Sequence, residues 1–195
     1  MAADDPIDVL AGWIADAEAA GSDAPTAMVL ATVGPDGTPH ARTVLVTGVV
    51  AGALRFHSST PTQKTRDLAA HPQASGVFLW PALGRQAVVG GPVAELDRDV
   101  TDAAFGERPA QLRRLAWVYD ALLPSLTGPL DAVEPGAAEQ AFAAAPDATA
   151  PPTWTTFALT PVRIELWRGQ GPDSPAARTR YFRDGDGWQQ ATVLP

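Results

Sequence analysis

Between residues 26 and 58 three apolar, β-branched-rich segments follow one another across short turns, and this run limits what the chain can become. Residues 26–33 (TAMVLATV) read as a buried strand, and Gly34-Pro35-Asp36-Gly37 as a turn. Residues 38–46 return as the hairpin partner. After Ala51-Gly52 a third strand covers residues 53–58. Neighbours joined that tightly pair antiparallel, since a parallel pair needs a long crossover. The run ends in a hydroxyl-rich loop, Ser58-Ser59-Thr60-Pro61-Thr62, followed by Lys64. A helix is expected over residues 62–70, stopping before Pro72.

Strands and turns continue downstream. Residues 74–80 form a strand, Pro81-Ala82-Leu83-Gly84 a turn, and residues 85–96 the next strand. Gly90-Gly91 inside it marks a bulge or a sharp bend. Residues 99–105 and 109–123 read as helices, with Pro109 at a helix start. Residues 154–167 read as one long strand in which Pro161 marks an edge or bulge. Residues 177–183 and 188–193 pair through Asp184-Gly185-Asp186-Gly187. Upstream, Ile7, Leu10, Ala11, Ile14 and Ala17 share one helical face, with Asp5 as N-cap, Pro6 at the first position and Gly21 as the stop. Residues 1–24 therefore hold an N-terminal helix. Residues 124–152 are a Pro/Ala-rich connection with a short helix near 137–144. Six to eight mostly antiparallel strands with inserted helices make a mainly β fold. The expected form is a closed or split β-barrel with peripheral helices, as one domain over residues 1–195.

Composition removes several function classes. The chain has 195 residues, no cysteine and a formal charge of −8. Without cysteine there is no disulfide, thiolate nucleophile or cysteine-ligated metal. A charge this negative argues against a nucleic-acid partner, which needs clustered Lys and Arg. The acidic N-terminus lacks the basic start and continuous apolar run of a signal peptide, and no window is long and apolar enough for a membrane helix. A cytoplasmic protein acting on small molecules, with no membrane or nucleic-acid partner, is the expectation. The three histidines, His40, His57 and His71, have no metal-ligand spacing, and His40 and His71 read as surface residues.

Polar residues on apolar strands carry the chemical information. Strand alternation puts Arg42, Val44 and Val46 on one face and Thr43, Leu45 and Thr47 on the other. Arg42 either meets an anion or points to water from a barrel rim. Three hydroxyls, a helix N-terminus and Lys64 form an anion site in principle, because hydroxyls and amides donate while the ammonium neutralises. The plainer reading of the same loop is a helix cap on Thr62. Gln86 can read the edge of a planar heterocycle, and Arg85 beside it reads as an ion-pair residue. Trp167 and Arg180 can flank a ring, and Arg108 can enter a pocket. Each has a bland alternative as a core or solvated side chain.

Taken together, PTAMVLATVGPDGTPHARTVLV, RFHSSTPTQKTRDLAAHPQASGVFLWPALGRQAVVGG, FGERP and the tail TPVRIELWRGQG…RTRYFRDGDGW resemble the pyridoxamine 5′-phosphate oxidase family over nearly the whole chain. The resemblance implies a six-stranded antiparallel split barrel that binds FMN, and a homodimer with the cofactor at the subunit interface. It implies cofactor contacts from Arg42, Thr43, Val44, Leu45 and Thr47, from His57 and Ser58, and from Thr62, Gln63 and Lys64. Gln86 would read the flavin ring, and Trp167 and Arg180 would come from the partner subunit. Gln63 stands where the family usually has an arginine.

The substrate side departs from the family pattern. Thr47 stands where a lysine for a substrate phosphate is usual, Ala104 for a tyrosine and Leu112 for a serine, while Arg108 is retained. Ala121-Leu122 stand for the usual Gln-Ser pair. The resemblance therefore implies an FMN-dependent oxidoreductase acting on CH–NH or CH–CH groups of a small, unphosphorylated substrate, as in phenazine-type secondary metabolism. Arg108 and Arg178 would hold a substrate carboxylate, and no side chain is named as an obligatory catalytic base. The alternatives are a genuine pyridoxamine/pyridoxine 5′-phosphate oxidase of vitamin B6 metabolism, an F420-dependent reductase and a non-enzymatic flavin-binding protein.

Overall fold

A computed structural model of the chain describes residues 5–126, 132–146 and 149–195. The expected N-terminal helix segment begins, and the 124–152 connection partly runs, outside the described residues. Fourteen elements follow in order. They are α1 (Pro6–Ala19), β1 (Ala27–Val33), β2 (Pro39–Val50), β3 (Ala53–Ser59), α2 (Gln63–Ala70), β4 (Gln73–Trp80), β5 (Arg85–Glu95), α3 (Arg98–Gly106), α4 (Ala110–Leu122), α5 (Ala137–Ala144), β6 (Trp154–Leu159), β7 (Arg163–Arg168), β8 (Ala177–Asp184) and β9 (Gly187–Thr192). The strand order is β4-β1-β2-β3-β6-β5-β7-β8-β9, and β4 also pairs with β5. The first six strands thus close into an antiparallel barrel, and β7 to β9 extend from β5. No helix among the described residues is long and apolar enough to cross a membrane.

The chain divides into two compact units. The first consists of Met1–Phe56, Asp67–Ala94 and Ala158–Pro195, the second of His57–Arg66 and Glu95–Phe157. In the first, alternation decides what is buried. Met28 and Leu30 of β1 and Val44 and Val46 of β2 point inward, while Val29, Thr43, Leu45 and Thr47 are exposed. Helix α1 starts as its sequence directs: the Asp5 carboxylate accepts from the Ile7 amide at 2.9 Å and Pro6 follows. Its Ile7, Leu10 and Ala17 are buried, and Trp13 meets Trp80 edge-on at 6.3 Å. Strand β2 runs to Val50, beyond the expected end at residue 46, because a register shift between Val46 and Gly48 lets it bend and keep pairing with β3.

The expected single strand over residues 154–167 is two strands, β6 and β7. Pro161 has no amide to donate, so the ladder breaks there. The flanking amides still reach β5, Thr160 to the Pro92 carbonyl and Val162 to the Gly90 carbonyl, both at 2.9 Å. Gly91 lies under this break, and a Cβ on it would stand 2.0 Å from the Thr160 oxygen. Only glycine permits that approach.

In the second unit Phe105, Ala116, Ala150 and Trp154 form a core against which Ala104 and Trp117 pack. Arg98 ties it together by donating to the carbonyls of Ala150 at 2.7 Å and Pro151 at 3.1 Å. The Thr153 hydroxyl donates to Asp120 at 2.8 Å, fastening the approach to β6 onto α4.

Two glycines give opposite expectations. Gly91→Ala should cost about 1–3 kcal/mol or more by overpacking against Thr160. Gly12→Ala, in the exposed interior of α1 with nothing within 4 Å, should add about 0.5–1 kcal/mol. Urea unfolding midpoints of the two variants check both signs.

Candidate functional site

The second unit brings the hydroxyl loop and Lys64 together. Lys64 Nζ donates to Ser58 Oγ at 2.8 Å and to Thr62 Oγ1 at 3.3 Å, and the two hydroxyls are 3.4 Å apart. The cluster sits where β3 gives way to α2. The Thr62 amide is taken by the Thr65 hydroxyl at 2.8 Å, which in turn donates to the Thr62 carbonyl at 3.0 Å. This small turn fixes the loop and leaves the side chains of Ser58, Thr62 and Lys64 on one pocket.

That pocket encloses about 150 Å³. His57, Ser58, Ser59, Thr62, Lys64, Arg108 and Trp154 make its polar and aromatic wall. Leu112, Leu115, Ala116 and Tyr119 of α4 line the rest. No Asp or Glu is among its lining residues. Trp154 is buried at 2% exposure. Its ring stacks on His57 at 4.6 Å and carries the Arg108 guanidinium 5.0 Å from its centroid. His57 Nδ1 is also 3.0 Å from the Thr156 hydroxyl. Burial pulls the Arg108 pKa down, and no acidic neighbour pulls it back. A set of two hydroxyls, an ammonium and a guanidinium without a carboxylate suits a phosphate ester.

The first unit places the other expected residues. The Arg42 guanidinium donates to Thr32 Oγ1 at 2.6 Å and to the Leu30 carbonyl at 3.3 Å, and lies 3.5 Å from Asp67. Asp67 also accepts from the Thr32 hydroxyl at 2.6 Å and faces His40 Nδ1 at 3.0 Å. Burial pushes its carboxyl up, but the bonds from Thr32 and His40 and the charge of Arg42 outweigh this and hold it below its ordinary value. Arg42 is thus on the face expected, in an internal ion-pair network. His40, expected at the surface, is half-buried in the same network, while His71 is exposed.

Thr47 lies on the exposed face of β2 with Thr43 and Leu45. It lines a different groove of about 260 Å³, bordered by Ala11 and Ile14 of α1. Val44 is buried, and Gln63 opens α2. Arg85 pairs with Asp16 at 2.6 Å, as its ion-pair reading expects. Among the described residues no three His, Cys, Asp or Glu side chains are grouped to hold a metal.

Gln86, Trp167 and Arg178 follow one another as cross-strand partners on β5, β7 and β8. Two register positions away, on the same face, Glu165 pairs with Arg180. Glu165 is 2% exposed and holds three arginines. Arg178 Nε reaches Oε2 and Arg180 Nε reaches Oε1, each at 2.8 Å, and Arg163 also meets Oε1. Burial raises the Glu165 pKa, but the bonds from Arg163, Arg180 and Arg178 bring it down to about 2. Glu165, Asp67 and Trp154 went unassigned in the sequence reading. An acid inside the apolar run RIELW was the available signal for Glu165.

A folded-state pKa below the unfolded one makes Glu165 stabilising above the ordinary glutamate range, and this contribution is lost as pH falls toward about 2. Glu165→Gln should therefore lower stability at pH 7 and flatten the acid limb of a stability-against-pH curve. Urea midpoints between pH 7 and pH 3 measure it.

With this geometry in place, comparison with known proteins identifies the family. The model of the family described as "Pyridoxamine 5′-phosphate oxidase" matches residues 14–168. A pyridoxine/pyridoxamine 5′-phosphate oxidase of Azorhizobium caulinodans is 40% identical over 100% of this chain and 92% of its own length. The crystal structure of PhzG from Burkholderia lata, in complex with tetrahydrophenazine-1-carboxylic acid, superposes with a TM-score of 0.84 at 24% identity, covering 99% of this chain and 94% of that one. A pyridoxamine 5′-phosphate oxidase-related, FMN-binding protein of Nostoc punctiforme superposes with a TM-score of 0.78 at 22% identity, covering 94% and 96%. The chain belongs to the pyridoxamine 5′-phosphate oxidase family of flavin-binding oxidoreductases, and its cofactor is FMN.

Proposed function

We propose that the chain is an FMN-dependent oxidase of a small substrate that carries a carboxylate rather than a phosphate, oxidised at a CH–NH or CH–CH bond. The supporting observation is the apolar wall of the pocket. Leu112, Leu115 and Ala116 face the hydroxyl–lysine cluster, and Leu112 occupies the position of a serine that the family uses for substrate phosphate. Thr47, at the position of the family's lysine, lines the groove under α1 instead. A phosphate dianion set against such a wall loses charge-assisted bonds of about 1.5–3 kcal/mol each. Oxidation within phenazine-type secondary metabolism is one form this activity takes.

FMN supplies hydride acceptance at its ring when bound. The chain's residues supply binding and orientation. Ser58, Thr62 and Lys64 hold the cofactor phosphate, with Arg42, Gln63 and His57 as further family-position contacts. Thr43, Val44, Leu45 and Thr47 offer backbone and side-chain contacts along β2, and Gln86 reads the ring edge. Arg178 takes the substrate carboxylate.

Trp167 and Arg180 reach the cofactor from a second copy of the chain. The outer face of the sheet supports such a dimer: Val29, Leu45 and Leu79 are exposed at 45%, 52% and 60%. Leu79 pairs with Gln86, which pairs with Trp167 and so leads to Arg178. An apolar patch continuous with an arginine pair is a surface that a second copy would cover.

The second reading is pyridoxine/pyridoxamine 5′-phosphate oxidase itself. The 40% identity to the Azorhizobium protein of that name favours it.

Two measurements test these readings. Pyridoxamine 5′-phosphate should be turned over far more slowly than an unphosphorylated carboxylate substrate. Turnover typical of the family would establish the second reading instead. The purified protein should carry flavin absorbance that denaturation releases as FMN. Lys64→Ala should weaken FMN binding about 10- to 100-fold, and wild-type occupancy in that variant would remove Lys64 from the site.

A further inference from the structure

A phosphate monoester carries about −1.5 to −2 charges at neutral pH. The hydroxyl cluster sets one full charge against it, that of Lys64. The next residue back, Gln63, is neutral. The arginine expected there from the sequence, Arg42, already lies 3.5 Å from the buried carboxylate of Asp67. A second cation is therefore wanted in the pocket that holds Ser58, Thr62 and Lys64, and Arg108 lines that pocket.

Three features of Arg108 bear on its role. Its guanidinium lies over the Trp154 ring at 5.0 Å, which fixes its plane. It is half-buried, and no acidic side chain lines the pocket. The side chains that would share a second phosphate with it are absent: Leu112 is apolar and lines the same pocket, and position 104 is alanine. Lys64, a cation of this pocket, donates to the hydroxyls of Ser58 and Thr62. The pocket of about 150 Å³ thus sets Arg108 and this one hydroxyl–lysine cluster on the same space.

We infer that Arg108 is a ligand of the cofactor's phosphate, making up the charge that Gln63 does not supply, and is no longer a substrate residue. The loss of substrate-phosphate ligands and the neutral Gln63 then have one cause: the retained arginine serves the other phosphate. This rests on the placement of the FMN phosphate at Ser58, Thr62 and Lys64, and it leaves Arg178 to hold the substrate's anion.

Riboflavin, which is FMN without the phosphate, separates the two roles. The full chain, freed of flavin, is titrated with FMN and with riboflavin, following quenching of flavin fluorescence. The wild type should prefer FMN. In Arg108→Gln the ratio of FMN to riboflavin affinity should fall about 10- to 100-fold, with riboflavin affinity unchanged. Arg108→Met keeps an apolar stem over Trp154 and is read the same way if the Gln variant does not fold, unchanged riboflavin affinity being the sign of an intact site. An unchanged ratio in a variant that still binds riboflavin overturns the inference alone and returns Arg108 to the substrate. A wild type that binds riboflavin as tightly as FMN overturns the phosphate placement and this inference with it.

Discussion

The indole of Trp154 is met by three flat groups at once. His57 stacks on it at 4.6 Å, Phe105 presents an edge at 5.0 Å and the Arg108 guanidinium lies 5.0 Å from its centroid. Phe105 and Trp154 belong to the core of the second unit, and His57 and Arg108 to the wall of its pocket. The same side chain therefore supports the packing and sets the planes of two pocket residues. A guanidinium over an aromatic face gives up less rotamer freedom when it binds a ligand than one in water, so pre-organisation lowers the cost of holding an anion. Arg98 and Thr153 secure the residues just before β6 and so keep the indole in place.

Charge in this chain is managed locally. Fourteen Lys and Arg stand against 22 Asp and Glu, so the long-range field opposes an anionic ligand. Binding must come from short-range clusters in which cations outnumber acids. The first unit has two arginine clusters of different balance. Around Asp67 one carboxylate meets one guanidinium and a histidine, and the group is close to neutral. Around Glu165 one carboxylate meets three guanidiniums, leaving two positive charges in excess on an outward sheet face. Burying Glu165 without those partners would be costly. With them its carboxylate fixes Arg178 through Nε and Nη2 and Arg180 through Nε.

Local pattern and long-range pairing were not equally legible in the sequence. The Asp5 cap, the β1–β2 turn and the inward face of β2 follow from residues close together, and the structure has them. The break at Pro161 was visible as an irregularity, but not as a split into two strands, because that depends on how Gly90 and Gly91 meet Thr160 and Val162. Arg42 shows the limit most clearly. Its face was readable from alternation, yet its partner Asp67 is on a helix 25 positions later, and no local pattern announces that pairing. Glu165 failed for a related reason: its three arginines come from β7 and β8, and only the hairpin register sets them around one carboxylate. The fold class and the Ser58–Lys64 cluster needed no such register, since that cluster lies within the end of β3, the turn after it and the start of α2.

These placements bear on which anion each cluster suits. A phosphate is best met by hydroxyl donors and compact charge gathered around one point, as Ser58, Thr62 and Lys64 are. A carboxylate is planar and singly charged, and it matches the fork of a guanidinium whose orientation is already fixed, as Glu165 fixes Arg178. The α4 wall of Leu112, Leu115 and Ala116 adds apolar surface where a second phosphate would need donors. Desolvating one negative charge against such a wall is far cheaper than desolvating two, because the cost of burying an ion grows steeply with its charge. On the proposed function, the Ser58–Thr62–Lys64 cluster would serve the cofactor and the Arg178 face the substrate, with Thr47, Ala104 and Leu112 offering no Lys-, Tyr- or Ser-type ligand for a second phosphate.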